Sequence, residues 1–333
     1  MFKKLNDNTI KESFEKNNGG YFNLHSLREL GIFIVFLVIL AVLMILSPNA
    51  FARPTNLINI LKQASINGIL AAGMTFVILS GGIDLSVGST VALTGVIAAS
   101  FAHPGEYPLF VPIILAAGAG SFIGFLNGLG VAYGNIPSFI VTLGSMTIVR
   151  GLALIASRGQ PVFNLSKSFE HIAGGFIFEY IPHLVVFFVC VAGIAGFILT
   201  KTVFGRHVYA VGGNETAAKV SGVNVGYIKV AVYTIAGFLA GIAGLLLASR
   251  IVSGNPTAGA GYELDAIAAV IIGGVSMSGG AGKWYGTVIG ALIIAVIGNG
   301  LDILGVSSYF QLIIKGSIII VAVLLDMKGK GKQ

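Results

Sequence analysis

From residue 30 to residue 326 the chain is a succession of apolar stretches, and its charges fall almost entirely between them. This pattern constrains the fold more than any single motif. A stretch of about 20 apolar residues is long enough to cross a bilayer, and a helix is the local structure that satisfies its own backbone there. Spans are expected at approximately 30–47, 64–80, 85–102, 110–132, 137–157, 181–199, 228–248, 264–279, 284–303 and 306–326. The second, third and eighth are short. The expected fold class is therefore all-α, a polytopic membrane protein with about ten transmembrane helices. Composition agrees: 10% of residues are charged and 55% are hydrophobic, whereas a soluble domain carries about 25% charged residues. The 47 glycines fit as well, because small residues let membrane helices approach closely. A single cysteine, Cys190, lies inside an apolar run and leaves no intramolecular disulfide to form.

The domain layout that follows is a cytoplasmic N-terminal segment (1–29), a transmembrane domain (30–326) with a long cytoplasmic loop (200–229), and a basic tail (327–333). The start of the chain has signal-peptide features, including Ala50 and Ala52 in "NAFA". Its polar lead is too long for an n-region, so an uncleaved first span is the preferred reading. Ten spans put both termini on one side. Thirteen of the 20 lysines and arginines fall on that side, five on the other, and Arg150 and Lys315 lie within spans. By the positive-inside rule the richer side is cytoplasmic. The net charge of +7 is then a topology signal, and no nucleic-acid partner is expected.

The stretch "SGGIDLSVGS" (80–89) places a carboxylate, Asp84, between two spans. Ionisable groups in membrane segments are costly and tend to be functional. Asp84 can cap the third span by accepting from the N–H of Ser86 or Val87, where the helix dipole favours negative charge. Pathway lining or contact with a second copy are the alternatives. An internal repeat gives the aspartate a wider setting. Shifting the sequence by 172 residues aligns 118–152 with 290–324 at ten identical positions, among them Asn127 with Asn299 and Gly128 with Gly300. Asp265, opening the eighth span, extends the match to Asp84. Spans 3–5 would then repeat as spans 8–10. Five spans separate the partners, so the halves cross in opposite senses. Inverted repeats of this kind are typical of transport machinery. Asn127 and Asn299 are candidate pathway residues or interhelical glue.

No engine for transport is visible in the chain. "SGGAGKW" (278–284) lacks the first glycine and the Ser/Thr of a phosphate-binding loop and reads as a tight turn. The histidines (25, 103, 171, 183 and 207) have no metal-ligand spacing. No span holds facing carboxylates, so an ion-driven relay has little support. Lys315 is a pathway residue, a partner for a carboxylate, or a protein contact; Arg150 can snorkel towards the outer face. The chain needs no cofactor and has no catalytic constellation. It is a passive channel or borrows energy from a partner.

The loop 200–229 contains "GGNETAAKVSGV". Asn214 is a good N-cap, Glu215 sits in the first turn, Ala217 and Ala218 favour helix, and Gly222 suits a left-handed C-terminal position. So short a helix is stable only when docked. It rests on the bilayer or on its own bundle, or it is a peg for a cytoplasmic partner.

"SGGIDLSVGS" (80–89), "GRHVYAVGGNETAAKVSGVNV" (205–225), "NPTAGAGYELDAIAAVIIGG" (255–274) and "LGVSSYFQLIIKG" (304–316) resemble the permease subunits of bacterial ribose-type ABC sugar importers, within the sugar and branched-chain amino acid permease superfamily. The similarity runs from about residue 30 onward. It implies an inner-membrane homodimer working with a cytoplasmic ATP-binding subunit, usually tandem ATPase domains, and a periplasmic sugar-binding protein. Transport would be by alternating access. It also implies that 205–225 is the coupling element, with Gly213, Asn214, Glu215, Thr216, Ala217, Ala218, Lys219, Ser221 and Gly222 as candidate ATPase contacts. Asp84, Ser86, Asn127, Asp265, Asn299 and Lys315 are the candidate pathway or helix-break residues. The related amino acid permeases generally lack the aspartate of "GIDLSVG", which favours a sugar. Other monosaccharides, autoinducer-2, a nucleoside or an amino acid remain alternative cargoes, and a facilitator without an ATPase is the alternative class.

Overall fold

The computed structural model describes residues 24–330. Most of the expected N-terminal segment (1–29) and the last residues of the basic tail (327–333) lie outside them. Among the described residues the regular structure is helical except for one small hairpin and an isolated bridge between Val162 and Gly254, with turns and loops between the helices. In order the elements are α1 (Leu24–Leu46), α2 (Pro48–Phe51), α3 (Pro54–Leu79), α4 (Val87–Ser100), α5 (Phe110–Ala132), α6 (Ser138–Ala156), α7 (Lys167–Gly174), β1 (Phe176–Ile177), β2 (Ile181–Pro182) and α8 (His183–Lys201). Then come α9 (Val203–Gly213), α10 (Glu215–Val220), α11 (Val225–Ile251), α12 (Tyr262–Ile272), α13 (Trp284–Ile303) and α14 (Ser308–Lys330). Six of these, α3, α5, α6, α8, α11 and α13, are long and apolar enough to cross a membrane; Gly31–Leu46, α4 and Ser308–Leu324 are shorter apolar helices.

The second expected span is not short. The helix α3 has 26 residues and starts at Pro54, ten residues before the expected boundary. Proline fits the first helical position because its missing N–H has no intrahelical partner there. Thr55, Asn56, Asn59, Lys62 and Gln63 lower the hydropathy of this first part without breaking the helix.

The eighth expected span is also redrawn. The helix α12 covers 11 residues, and Gly273 and Gly274 end it well before residue 279. At 1.5 Å per residue it reaches about 16 Å, roughly half of a bilayer core. Before it comes a turn-rich segment, 253–261, that runs back along α4. Gly254 packs against Gly95, Val96 and Ala99, and Gly259 packs against Gly88 and Val91. The chain has therefore travelled most of the length of α4 before α12 begins.

At the centre lies α11, packed on α5, α4 and α3. The seam with α5 is made by backbone. Gly120 and Gly124 of α5 face Gly237 and Gly241 of α11, and a Cβ at Gly237 would meet the carbonyl of Gly120. This paired small-xxx-small arrangement allows the closest approach of two helices. By contrast α1, α6 and α14 are peripheral and present apolar side chains outward, among them Ile45, Ile148, Ile155, Ile313 and Ile320.

Two ends of the bundle are distinct. At one, the loop end, α9 and α10 lie beside the chain segments 80–82, 135–138 and 278. At the other, α7 and the hairpin form a cover that the sequence does not reveal. Ser166 caps α7 by accepting from Phe169 N at 3.3 Å. The Ser249 hydroxyl of α11 donates to Phe169 O at 2.7 Å and accepts from Ala173 N at 2.9 Å.

Candidate functional site: a helix break, a half-helix and a capped loop

The break between α3 and α4 begins at Gly81, whose φ of +84° is readily reached only by glycine. Asp84 follows and is 1% exposed. Its Oδ1 accepts from Ser86 N at 2.8 Å and from Ser86 Oγ at 2.6 Å. Of the two N–H groups expected, the Ser86 one is the partner. Asn127 of α5 donates to Ser86 Oγ at 2.8 Å. Ile83 is held at both backbone groups: its N–H donates to Ser138 Oγ at 3.3 Å, and its carbonyl accepts from Tyr233 Oη at 3.1 Å. Three helices, α5, α6 and α11, thus fix an irregular segment that would otherwise leave backbone groups unsatisfied in apolar surroundings. Asp84, Ser86 and Asn127 form one buried unit.

Asp265 is served differently. Its Oδ2 accepts from Lys315 Nζ of α14 at 2.9 Å, with side-chain exposures of 6% and 29%. Of the three roles open to Lys315, the structure places it against a carboxylate. The 172-residue shift that relates the two halves puts Leu143 where Lys315 stands, so the cation has no counterpart beside Asp84. The repeat-related aspartates share a place in the sequence pattern but not an electrostatic environment.

Arg150 bonds within the bundle: its Nη1 donates to the carbonyls of Pro256 and Ala258, both at 2.8 Å. The two carbonyls lie in a turn-rich segment that is also held by the Val162–Gly254 bridge and by Asn255 Oδ1, which accepts from Thr257 N and Oγ1, and a guanidinium can bridge two carbonyls at once. Beside it, Glu263 accepts from Gly261 N at 3.2 Å through Oε1, while its other oxygen lies against the Gly88 backbone. Glu263 escapes the sequence reading because it is absorbed into the apolar run around Asp265. The paired signal "GYELD", two acids flanking a leucine after two glycines, is what marks it. Arg150, Glu263, Asp265 and Lys315 together form a charged cluster around the start of the half-helix α12.

Asn299 and Asn56 make a reciprocal amide pair between α13 and α3. Asn56 Nδ2 donates to Asn299 Oδ1 at 3.0 Å, and Asn299 Nδ2 donates to Asn56 Oδ1 at 2.8 Å. Asn299 therefore bonds across helices, and Asn127 bonds to the break that precedes α4. Asn56 is invisible to the span assignment because its segment reads as a loop.

In the loop, Asn214 caps α10 by accepting from Ala217 N at 2.9 Å. Gly222 has φ +85°, and Val223 N returns to Ala218 O at 3.0 Å. Ala218 is buried, whereas Thr216, Ala217, Lys219, Ser221 and Val220 are exposed, Val220 at 85%. Glu215 pairs with Lys229 of α11 at 2.7 Å and ties the short helix to the bundle. The phenol of Tyr209 donates to Gly282 O at 2.9 Å; burial raises its pKa above the ordinary value and keeps it a donor. Between this loop and the helix break lies a cavity of about 490 Å³, lined in part by Gly81, Asn135, Ser138, Asn214, Glu215 and Lys229. Among the described residues no cluster of potential metal ligands occurs.

Comparison with known proteins adds a family. Residues 56–323 match the model described as "Branched-chain amino acid transport system / permease component". The chain is 46% identical over 304 residues to the ribose import permease protein of Bacillus subtilis (strain 168), covering 91% of this chain and 94% of that one. It is 45% identical over 298 residues to the ribose import permease protein of Haemophilus influenzae, covering 88% and 91% of the two chains. It is also 45% identical over 311 residues to the ribose import permease protein of Escherichia coli (strain K12), covering 92% and 96%. No solved structure gives a significant match.

Proposed function

Because the chain belongs to the permease-component family of branched-chain amino acid transport systems, we propose that it is the membrane-spanning subunit of an ATP-driven ABC importer whose cargo is ribose. The observation that carries this reading is the 45–46% identity to ribose import permeases over roughly nine-tenths of each chain. The geometry supports it. A discontinuous helix entered from a re-entrant segment, with charged groups at its start, is the kind of element that forms substrate sites in transporters. In this reading the six long helices, the three shorter apolar ones and α12 make up ten membrane segments, with two inverted halves.

The loop end is cytoplasmic, as the lysines and arginines argue, and so are both termini. The exposed face from Gly213 to Gly222, with Asn214, Glu215, Thr216, Ala217, Lys219 and Ser221, docks on a cytoplasmic ATPase, most simply one with two ATPase domains in tandem. A periplasmic binding protein delivers the sugar at the opposite end. The apolar outer faces meet lipid and a second copy of the chain in a bacterial inner membrane. Asp265 and Lys315, with Arg150 and Glu263, line the pathway, while Asp84, Ser86, Asn127 and Asn299 brace it.

The test is reconstitution of the permease with its ATPase and binding protein in vesicles. Ribose-loaded binding protein is expected to stimulate ATP hydrolysis and uptake more than the xylose- or galactose-loaded form. A stronger response to another sugar overturns the cargo. Uptake that proceeds without the ATPase overturns the importer.

A further inference from the structure

Three glycine pairs meet at the loop end. They are Gly81–Gly82 after α3, Gly212–Gly213 at the end of α9, and Gly279–Gly280 in the turn between α12 and α13. They touch through backbone. A Cβ at Gly212 would collide with the carbonyl of Leu79, and one at Gly280 with the Cα of Gly213. A Cβ at Gly279 would meet Gly81 N and Gly212 O, both at 2.9 Å. Two hydrogen bonds fasten the same point: Gly280 N donates to Leu79 O at 2.9 Å, and Tyr209 Oη donates to Gly282 O at 2.9 Å. The second of these bonds leaves from α9 itself.

The three chain segments belong to different parts of the molecule. Leu79–Gly82 leads directly into the Asp84 break of the first half. Gly279–Gly282 lies in the turn that follows the half-helix of the second. Gly212 sits two residues before the Asn214 cap of α10. We propose that this junction transmits displacement of the ATPase-docked loop to both halves at once, with Gly212 as its positioning residue. The physical ground is stiffness. Side-chain contacts yield by rotamer changes, but backbone packed on backbone has no such slack. A shift of α9 must then carry the end of α3 and the α12–α13 turn with it. The proposal rests on the reading of the 213–222 face as the docking element for the ATPase.

The experiment uses the reconstituted full-length complex. Gly212→Ala is compared with Gly193→Ala in α8, where a Cβ meets nothing within 4 Å. For each, co-purification of the ATPase and the ratio of binding-protein-stimulated to basal ATP hydrolysis are measured. Gly212→Ala is expected to retain the ATPase but to lower the stimulation ratio about tenfold, within the usual range of coupling between sites. Gly193→Ala should leave the ratio unchanged. Equal ratios in the two variants overturn the proposal. Where Gly212→Ala fails to reach the membrane, Tyr209→Phe decides, since it deletes one junction bond and adds no bulk. A lowered ratio with the ATPase still bound supports the junction, and an unchanged ratio overturns it. Should the ATPase fail to co-purify with the unsubstituted permease, the docking reading fails instead, and the two failures are told apart.

Discussion

Lys315 reaches across from α14 to Asp265 at the start of α12 and closes an ion pair of 2.9 Å. The pair joins the half-helix to a peripheral helix that is also tied through Gln311 to Asp302 and through Asp326 to Ser276 and Met277. Removing one partner leaves the other charge uncompensated in a weakly solvated place. Lys315→Met is expected to destabilise the protein by about 1–3 kcal/mol, below the fully buried range because the lysine is partly exposed. Lys315→Met combined with Asp265→Asn should recover much of that loss. Thermal unfolding in detergent measures both.

Both hydrogen bonds donated to Asp84 end on one oxygen, Oδ1. An asparagine keeps that acceptor, and a leucine does not. Asp84→Asn is therefore expected to hold ribose uptake within about threefold, whereas Asp84→Leu should lower it more than tenfold, given the cost of buried donors left unpaired. Equal damage from the two exchanges would show that the negative charge itself is needed.

Arg150 holds the segment 253–261 through two carbonyls. Arg150→Met deletes both bonds and leaves the segment to its own turns, the two backbone bonds between Val162 and Gly254, and packing on α4. Amide hydrogen exchange across residues 255–260 is expected to rise by about tenfold or more, as local opening becomes cheaper, while α5 and α11 keep their protection. Uptake should fall in parallel. Unchanged exchange in this segment would mean that packing on α4 suffices.

The amide pair of Asn56 and Asn299 is suited to a double-mutant cycle. Each single alanine leaves an amide without its partner, and the double variant leaves none. The expected coupling is about 0.6 kcal/mol, with an upper bound near 1.7, the range found for interhelical hydrogen bonds in membranes. Residual transport by the double variant, higher than by either single one, would accompany it.

Much of this architecture is written in the sequence, because hydropathy, glycine and capping residues each report a local cause. The break at Gly81 and Asp84, the capped helix from Asn214 to Gly222 and the presence of most apolar helices follow from such causes, whereas the start of α3 and the end of α12 do not. What escapes are features whose cause lies elsewhere in the chain. Segment 253–261 packs on α4, pairs with Val162 at Gly254 and is bridged by Arg150, so its own residues read as a linker. The first ten residues of α3 stay helical because Asn56 finds Asn299, some 240 positions away. The direction of the Arg150 side chain depends on carbonyls that no periodicity places. Glu263 lies in an apolar run and becomes visible only when the run is seen to begin at a half-helix.

The seam between α5 and α11 has a consequence for motion. With Gly120 and Gly124 laid directly on Gly237 and Gly241, neither helix can rotate or tilt against the other without forcing two main chains together. The pair therefore behaves as a fixed keel. The turns flanking α12 are built differently, with Gly259, Gly261 and Gly274 in left-handed conformations. Any hinge in the centre of this chain therefore belongs at the ends of that 11-residue helix rather than in the seam between α5 and α11.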